Sequence, residues 1–268
     1  MKLNGMCPYL IMDNLLEIRG LEVRFGDIAA VDGADLDIAD GEILALVGES
    51  GSGKTVTALS ITKILPEDAR IAEGKILFKG RDLLQCREEE LEEIRGKEIS
   101  YIFQEAGASL NPVLPIGRQI QEAIILHQKK SRKEAADIAF TLLEMVKLRH
   151  PLDILKSYPH QLSGGMNQRV MIAIALAMKP KLLIADEPTT ALDVTIESEI
   201  IRLLLELKKT LGFSILFITH NLRLVGKFAD QVAIMYRGKI VEKAKTQDIF
   251  SNPKHKHTED LINSIIRL

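Results

Sequence analysis

Gly48-Glu49-Ser50-Gly51-Ser52-Gly53-Lys54-Thr55 decides the fold of this chain, together with Ile43-Leu44-Ala45-Leu46-Val47 ahead of it and Val56-Thr57-Ala58-Leu59-Ser60-Ile61 behind it. The octet fits the P-loop spacing G-x-x-x-x-G-K-[ST], and its flanks read as an apolar strand followed by a helix start. A strand–loop–helix unit of this kind turns successive backbone N–H groups and a helix N-terminus toward a phosphate chain. Gly48, Gly51 and Gly53 let the backbone approach closely, and Glu49, Ser50 and Ser52 fill out the cradle. The spacing predicts that Lys54 reaches the β- and γ-phosphates of a nucleotide and that Thr55 offers a hydroxyl to Mg²⁺.

Two later segments narrow the reading. Leu162-Ser163-Gly164-Gly165-Met166-Asn167-Gln168-Arg169 precedes the apolar helix Val170 to Met178, so Ser163, Gly164 and Gly165 form a second anion site at a helix N-terminus. Lys181-Leu182-Leu183-Ile184-Ala185-Asp186-Glu187-Pro188 is an apolar strand that ends in two carboxylates. An unbroken apolar run fits a parallel strand covered on both faces. Taken together these segments resemble the ATP-binding cassette (ABC) family, with its LSGGQ-like signature and its Walker B strand. The resemblance implies ATP and Mg²⁺ as cofactors, Asp186 holding Mg²⁺ or its water shell, and Glu187 as the general base. It also implies that Ser163, Gly164 and Gly165 close on the ATP of a second subunit.

Shorter pieces complete the implied site. Gln104 follows the apolar run before it and resembles the Q-loop glutamine, which senses Mg²⁺ and water. Ala191-Leu192-Asp193 resembles the D-loop, so Asp193 runs between the paired sites. His220 ends the strand Ser214 to Thr219 and resembles the switch histidine at the γ-phosphate. Successive strand ends are where open α/β sheets gather ligands. Phe25, before Gly26, resembles the aromatic residue that stacks on adenine, and a plain core role stays open for it.

The expected fold is α/β: a P-loop NTPase of the ABC type with a RecA-like core, an antiparallel β-subdomain and an inserted helical subdomain. Leu15 to Val47 reads as short strands with turns at Phe25-Gly26-Asp27, Val31-Asp32-Gly33 and Ala39-Asp40-Gly41. From Gly117 to His150 the pattern is helical, with Ile120, Ile124, Ile125, Ala136, Ile138, Leu142, Leu143 and Val146 on an apolar stripe. The expected organisation is a loose extension over 1–14, the ATPase domain over 15–250 with a helical subdomain at about 105–180, and a short tail over 251–268.

A chain of 268 residues with formal net charge −2 carries no electrostatic footprint for DNA or RNA. Its two cysteines, Cys7 and Cys86, make neither a disulfide framework nor a metal spacing. No apolar run reaches the roughly 20 residues that span a bilayer, so membrane association is expected through partner chains. Arg87-Glu88-Glu89-Glu90-Leu91-Glu92-Glu93 reads as a solvated helix face.

Within the family, Ser109-Leu110-Asn111-Pro112, Tyr158-Pro159-His160 and Ala185 to Thr195 resemble the oligopeptide, dipeptide and nickel importer ATPases. Glu105-Ala106-Gly107, Asn167 and Asn221 depart from that pattern. So does Lys256-His257, where Pro-Tyr is usual. No cysteine follows Cys86, so the iron–sulfur tail of many peptide-importer relatives is not expected, and the Pro253-Lys254-His255 tail tips the cargo slightly toward nickel. His255 and His257 are read as exposed surface residues rather than metal ligands. The resemblance implies a peripheral subunit on the cytoplasmic face of the cell membrane. It would work with two transmembrane permease subunits, a second ABC ATPase (a different chain or a second copy) and an extracytoplasmic substrate-binding protein. A soluble ABC ATPase of nucleic acid or ribosomes and an exporter ATPase are the rival functions; the compact cassette disfavours the first and the Ser-Leu-Asn-Pro segment the second.

Overall fold

The computed structural model describes residues 14–104, 109–190 and 192–266. Of the expected extension over 1–14, residues 1–13 lie outside the described residues, as do the departure Glu105-Ala106-Gly107 and Ala191 of the D-loop segment; Asn14 already opens the first strand.

Six strands make the central sheet. β3 (Ile43–Val47), β6 (Ile99–Ile102), β7 (Leu182–Asp186), β8 (Ser214–Thr219), β9 (Gln231–Tyr236) and β10 (Lys239–Lys245) lie in the order β10-β9-β3-β8-β7-β6. All neighbours pair parallel except β10, which returns antiparallel to β9. Strands β3, β7 and β8 are buried throughout. Their alternating side chains divide between two cores. Ala45, Val47, Leu183, Ala185, Ile215 and Phe217 face one, while Leu44, Leu46, Leu182, Ile184, Leu216 and Ile218 face the other. This double burial explains why the strands read as continuous apolar runs.

The first core is closed by helices and the second mainly by a smaller antiparallel sheet. α6 (Gly164–Leu176) and α7 (Val194–Leu211) contribute Val170, Ile172, Ile200 and Leu204 to the first. On the other side β1 (Asn14–Phe25), β2 (Ile28–Ala39), β4 (Ala69–Phe78) and the two-residue β5 (Arg81–Asp82) pair in the order β2-β1-β4-β5. They cover α1 (Lys54–Ile61), whose Ala58 and Ile61 are fully buried. The expected turn at Val31-Asp32-Gly33 is not one. Leu21 pairs with Ala34 and Val23 with Val31, so one strand slips against the other inside a long hairpin. Gly33, at φ 68°, serves that irregularity rather than a reversal. The acidic run forms α2 (Glu88–Ile94), with Leu91 and Ile94 buried beneath exposed glutamates.

Among the described residues, α3 (Ile116–Gln128), α4 (Arg132–Met145) and α5 (Pro151–Lys156) stand between β6 and α6. Of the expected stripe, Ile120, Ile124, Leu142, Leu143 and Val146 are buried. Ile125 is 37% exposed, and the inner small positions of α4 belong to Ala135 and Ala139 rather than Ala136. α4 starts on a capping box, with Glu134 reaching back to the Ser131 N–H and holding its carboxyl down at about 2 through the Ser131 hydroxyl and backbone bonds. The chain ends in α8 (Leu222–Val225), α9 (Thr246–Ser251) and α10 (Lys256–Ile266).

α3 and α5 meet without an intervening side chain. A Cβ at Gly117 would stand 2.7 Å from the Leu155 carbonyl oxygen. Gly117→Ala gains about 1 kcal/mol of helix propensity but forces two backbones apart, which costs about 1–3 kcal/mol. A net loss of stability in urea denaturation is the expected outcome; equal or greater stability would mean that the helix pair relaxes freely.

Candidate functional site

The carboxyl ends of four parallel strands converge on one region. Val47 of β3 is opposite Thr219 of β8, Asp186 of β7 is opposite Ile218, and Ile102 of β6 is opposite Ala185. Sequence continuing past those ends supplies Gly48, His220, Glu187 and Gln104. The sheet register, not any contact among these residues, sets where their backbones emerge.

In the P-loop, Gly53 caps α1 at φ 105°, a left-handed conformation that favours glycine. A Cβ there would stand 2.4 Å from the Ala30 carbonyl oxygen of β2. Lys54 is only 5% exposed, and its Nζ donates to the carbonyl oxygens of Gly48 (2.8 Å) and Glu49 (2.9 Å). Burial lowers its pKa, against the opposing pull of the Glu187 and Asp186 charges. Glu49, Ser50, Gly51 and Thr55 are open to solvent. Ser52 is buried, and its Oγ has no hydrogen-bond partner among the described residues.

Asp186 and Glu187 are adjacent carboxylates with opposite fates. Asp186 is 6% exposed; burial raises its pKa, against a hydrogen bond with the Thr55 side chain. Its Oδ1 is buried and has no hydrogen-bond partner among the described residues. Such an orphaned carboxylate oxygen beside a hydroxyl is the hard-oxygen chemistry that Mg²⁺ takes. Glu187 sits at φ 44°, rare for a residue with a long side chain, and its N–H donates to the Ile218 carbonyl at 2.9 Å. Its carboxylate lies within a ring of donors. Oε2 accepts from Thr190 Oγ1 at 2.7 Å, lies 3.2 Å from His220 Nδ1, and receives a long 3.4 Å contact from Gln104 Nε2. Partial burial pushes its pKa up, but the Thr190 and His220 bonds and the charges of His220 and Lys54 outweigh it, and the net shift is downward.

His220 is exposed on a turn pinned by its neighbours. Asn221 N–H donates to Thr219 Oγ1 (3.0 Å), and Asn221 Oδ1 accepts from Leu224 N–H (3.2 Å). The Asn221 departure therefore serves as the cap of α8. Asn167, the other described departure near the site, is buried and donates to the Pro159 carbonyl at 3.0 Å.

Not every expected site residue gathers here. Ser163 caps α6, its Oγ accepting from Met166 N–H at 3.3 Å, and Ser163 and Gly164 are exposed. Cβ atoms built at Gly164 and Gly165 would meet Leu192 and Ile196 at 3.5 and 2.8 Å. Asp193 caps α7 through Thr195 N–H (3.1 Å) and Ile196 N–H (3.0 Å). Phe25 is half-buried at the end of the β1–β2 hairpin, opposite Ile28. Thr190 was not singled out by the sequence reading. It lies one turn past Glu187, where a hydroxyl at i+3 can fold back on the carboxylate, but two adjacent threonines give no sign of which one does so.

The chain is similar to known proteins over most of its length. Residues 31–190 match the ABC transporter family model. The chain is 50% identical over 259 residues to the oligopeptide transport ATP-binding protein AppD of Bacillus subtilis, covering 95% of this chain and 79% of that one. It is 48% identical over 258 residues to a probable peptide ABC transporter ATP-binding protein, y4tR, of Sinorhizobium fredii, covering 94% and 77%. Among solved structures, an ATP-binding cassette, MJ0796, in a dimeric post-hydrolysis state with ADP and Pi is similar at TM-score 0.76 and 27% identity, over 86% of this chain and 98% of that chain.

Thr190→Val keeps the shape beside Glu187 and deletes the donor. That bond favours the ionised carboxylate, so its loss moves the Glu187 titration upward in pH. Carboxyl NMR titration of wild type and variant checks this; an unmoved or lowered midpoint would assign the low pKa to His220 and Lys54 alone.

Proposed function

The chain belongs to the ABC transporter family, and from that premise we propose that it is the ATP-hydrolysing subunit of an importer that takes up peptides through partner permeases. The observation that carries the chemistry is the convergence of Thr190, His220 and Gln104 on one oxygen of Glu187, beside Lys54 and Asp186. Held ionised, Glu187 accepts a proton from the attacking water as it adds in line to the γ-phosphorus, while the bond from that phosphorus to the β–γ bridging oxygen breaks and its electron pair leaves with ADP. His220 and Gln104 keep that carboxylate and the water in register. Lys54 exchanges its loop carbonyls for phosphate oxygens, and the loop amides and Ser52 hydroxyl face the same chain. Thr55 and Asp186, with Gln104 beyond them, would hold Mg²⁺. When bound, the ion neutralises charge building on the β- and γ-oxygens.

The reading extends to the assembly. Exposed Ser163 and Gly164, with half-buried Gly165 behind them, act on the ATP of a second ATPase subunit, with Asp193 at the joint and Phe25 against adenine. Residues 15–250 form the cassette, with the helical subdomain at about 105–180. Among the described residues no helix is long and apolar enough to cross a membrane, so the subunit attaches through two permease chains, fed by an extracytoplasmic binding protein. Peptides are favoured over nickel because the relatives named above, alike across more than nine-tenths of this chain, are named for peptides. The tail that tipped the sequence reading toward nickel is a few residues long.

Two substitutions separate binding from chemistry. Glu187→Gln is expected to bind ATP normally and to lose roughly 10²- to 10⁴-fold in turnover, the weight of a positioned base. Lys54→Ala is expected to weaken nucleotide binding itself, since a buried cation facing the phosphates is removed. A fluorescent ATP analogue titrated against each isolated chain, with turnover measured in the assembled transporter, tests both. Normal turnover in Glu187→Gln would remove Glu187 from the mechanism, and unchanged affinity in Lys54→Ala would remove the P-loop reading.

A further inference from the structure

The P-loop is backed by a strand end and a turn. A Cβ at Gly48 would stand 2.2 Å from the Met235 carbonyl oxygen, and one at Gly53 would stand 2.9 Å from Met235 Cε. Both framing glycines are therefore pressed onto one residue of β9. The chain then reverses through Arg237 (φ 49°) and Gly238 (φ 82°). Gly238 N–H donates to the Ser52 carbonyl at 3.0 Å, and its own carbonyl accepts from Asp32 N–H at 2.9 Å. One residue thus ties the P-loop to β2.

Tyr236 stands immediately before this turn, and the His257 ring of α10 lies on it, centroids 4.0 Å apart and planes at 30°. His257 is half-buried, not the exposed histidine expected from its lysine-rich surroundings. The chain leading to it is anchored. Glu242 of β10 accepts from Lys254 N–H (2.9 Å) and His255 N–H (3.0 Å), and His255 Nδ1 accepts from His257 N–H (3.2 Å). α10 also packs against α8, the helix that leaves His220. A single C-terminal segment therefore touches the supports of both the P-loop and the His220 turn.

We propose that this segment is a positioning brace for the nucleotide site. His257 on Tyr236 fixes the Arg237–Gly238 turn, and through the Gly238–Ser52 bond it fixes the direction of the P-loop amides. Neither ring touches nucleotide; both act through the backbone. The inference rests on the reading of the P-loop as the nucleotide site. Amides aimed in concert lose affinity together when their loop loosens.

The test uses the full chain with two substitutions. His257→Leu keeps bulk but loses the ring, and His257→Phe restores a ring. Hydrogen exchange over residues 48–53 and titration of a fluorescent ATP analogue are measured on each. In His257→Leu, exchange over 48–53 is expected to quicken and affinity to fall roughly three- to tenfold, the weight of one aromatic contact, with His257→Phe within about twofold of wild type. Fraying confined to residues 254–266, with loop exchange and affinity unchanged, overturns the brace, as does failure of His257→Phe to restore them. Wild type that binds no analogue would defeat the P-loop reading instead, while exchange over 48–53 would still judge the brace.

Discussion

The double-sided burial of β3, β7 and β8 is the constraint on which the molecule depends. Each strand sends alternate side chains into two separate apolar cores, so neither face can slip by one residue without exchanging the two sets. A register held from both sides places Val47, Asp186 and Thr219 at adjoining ends. Gly48, Glu187 and His220 arrive together because the strands below them cannot move independently.

On that platform, neighbouring charges are given different work by their surroundings. Asp186, buried and with an oxygen unpartnered, is poorly suited to carry its charge alone. Glu187, one residue on, is ringed by donors that favour its ionised form. Lys54 is desolvated between two carbonyls but lies in the field of both carboxylates. Two carboxylates whose pKa values are pushed apart by environment are suited to separate roles, one toward a cation and one toward a proton.

Much of this was legible in the sequence. The strand Ser214–Thr219 carries a local signal strong enough to place it to the residue, and the apolar run that ends in Asp186 and Glu187 forms β7 within one residue. Val31-Asp32-Gly33 misled because a glycine at positive φ serves a strand irregularity as well as a turn. Thr190 and the Gly238–Ser52 bond were invisible for another reason. Thr190 shares its local position with Thr189, so spacing does not mark which hydroxyl folds back on Glu187, and the Gly238–Ser52 bond joins residues distant in sequence through tertiary backbone placement. The histidines of the tail were misjudged likewise: surrounding lysines announce exposure, but the Tyr236 ring that covers His257 comes from a distant strand.

The positive φ of Glu187 sets evolutionary stability against activity. A long side chain held in the left-handed region costs on the order of 1–3 kcal/mol, whereas glycine adopts that conformation freely. Mutational drift that rewards only a folded, abundant chain would therefore be drawn to replace this glutamate early. A duplicated copy that no longer needed the base proposed above could lose it there while gaining robustness, and still keep every element that shapes the surrounding surface.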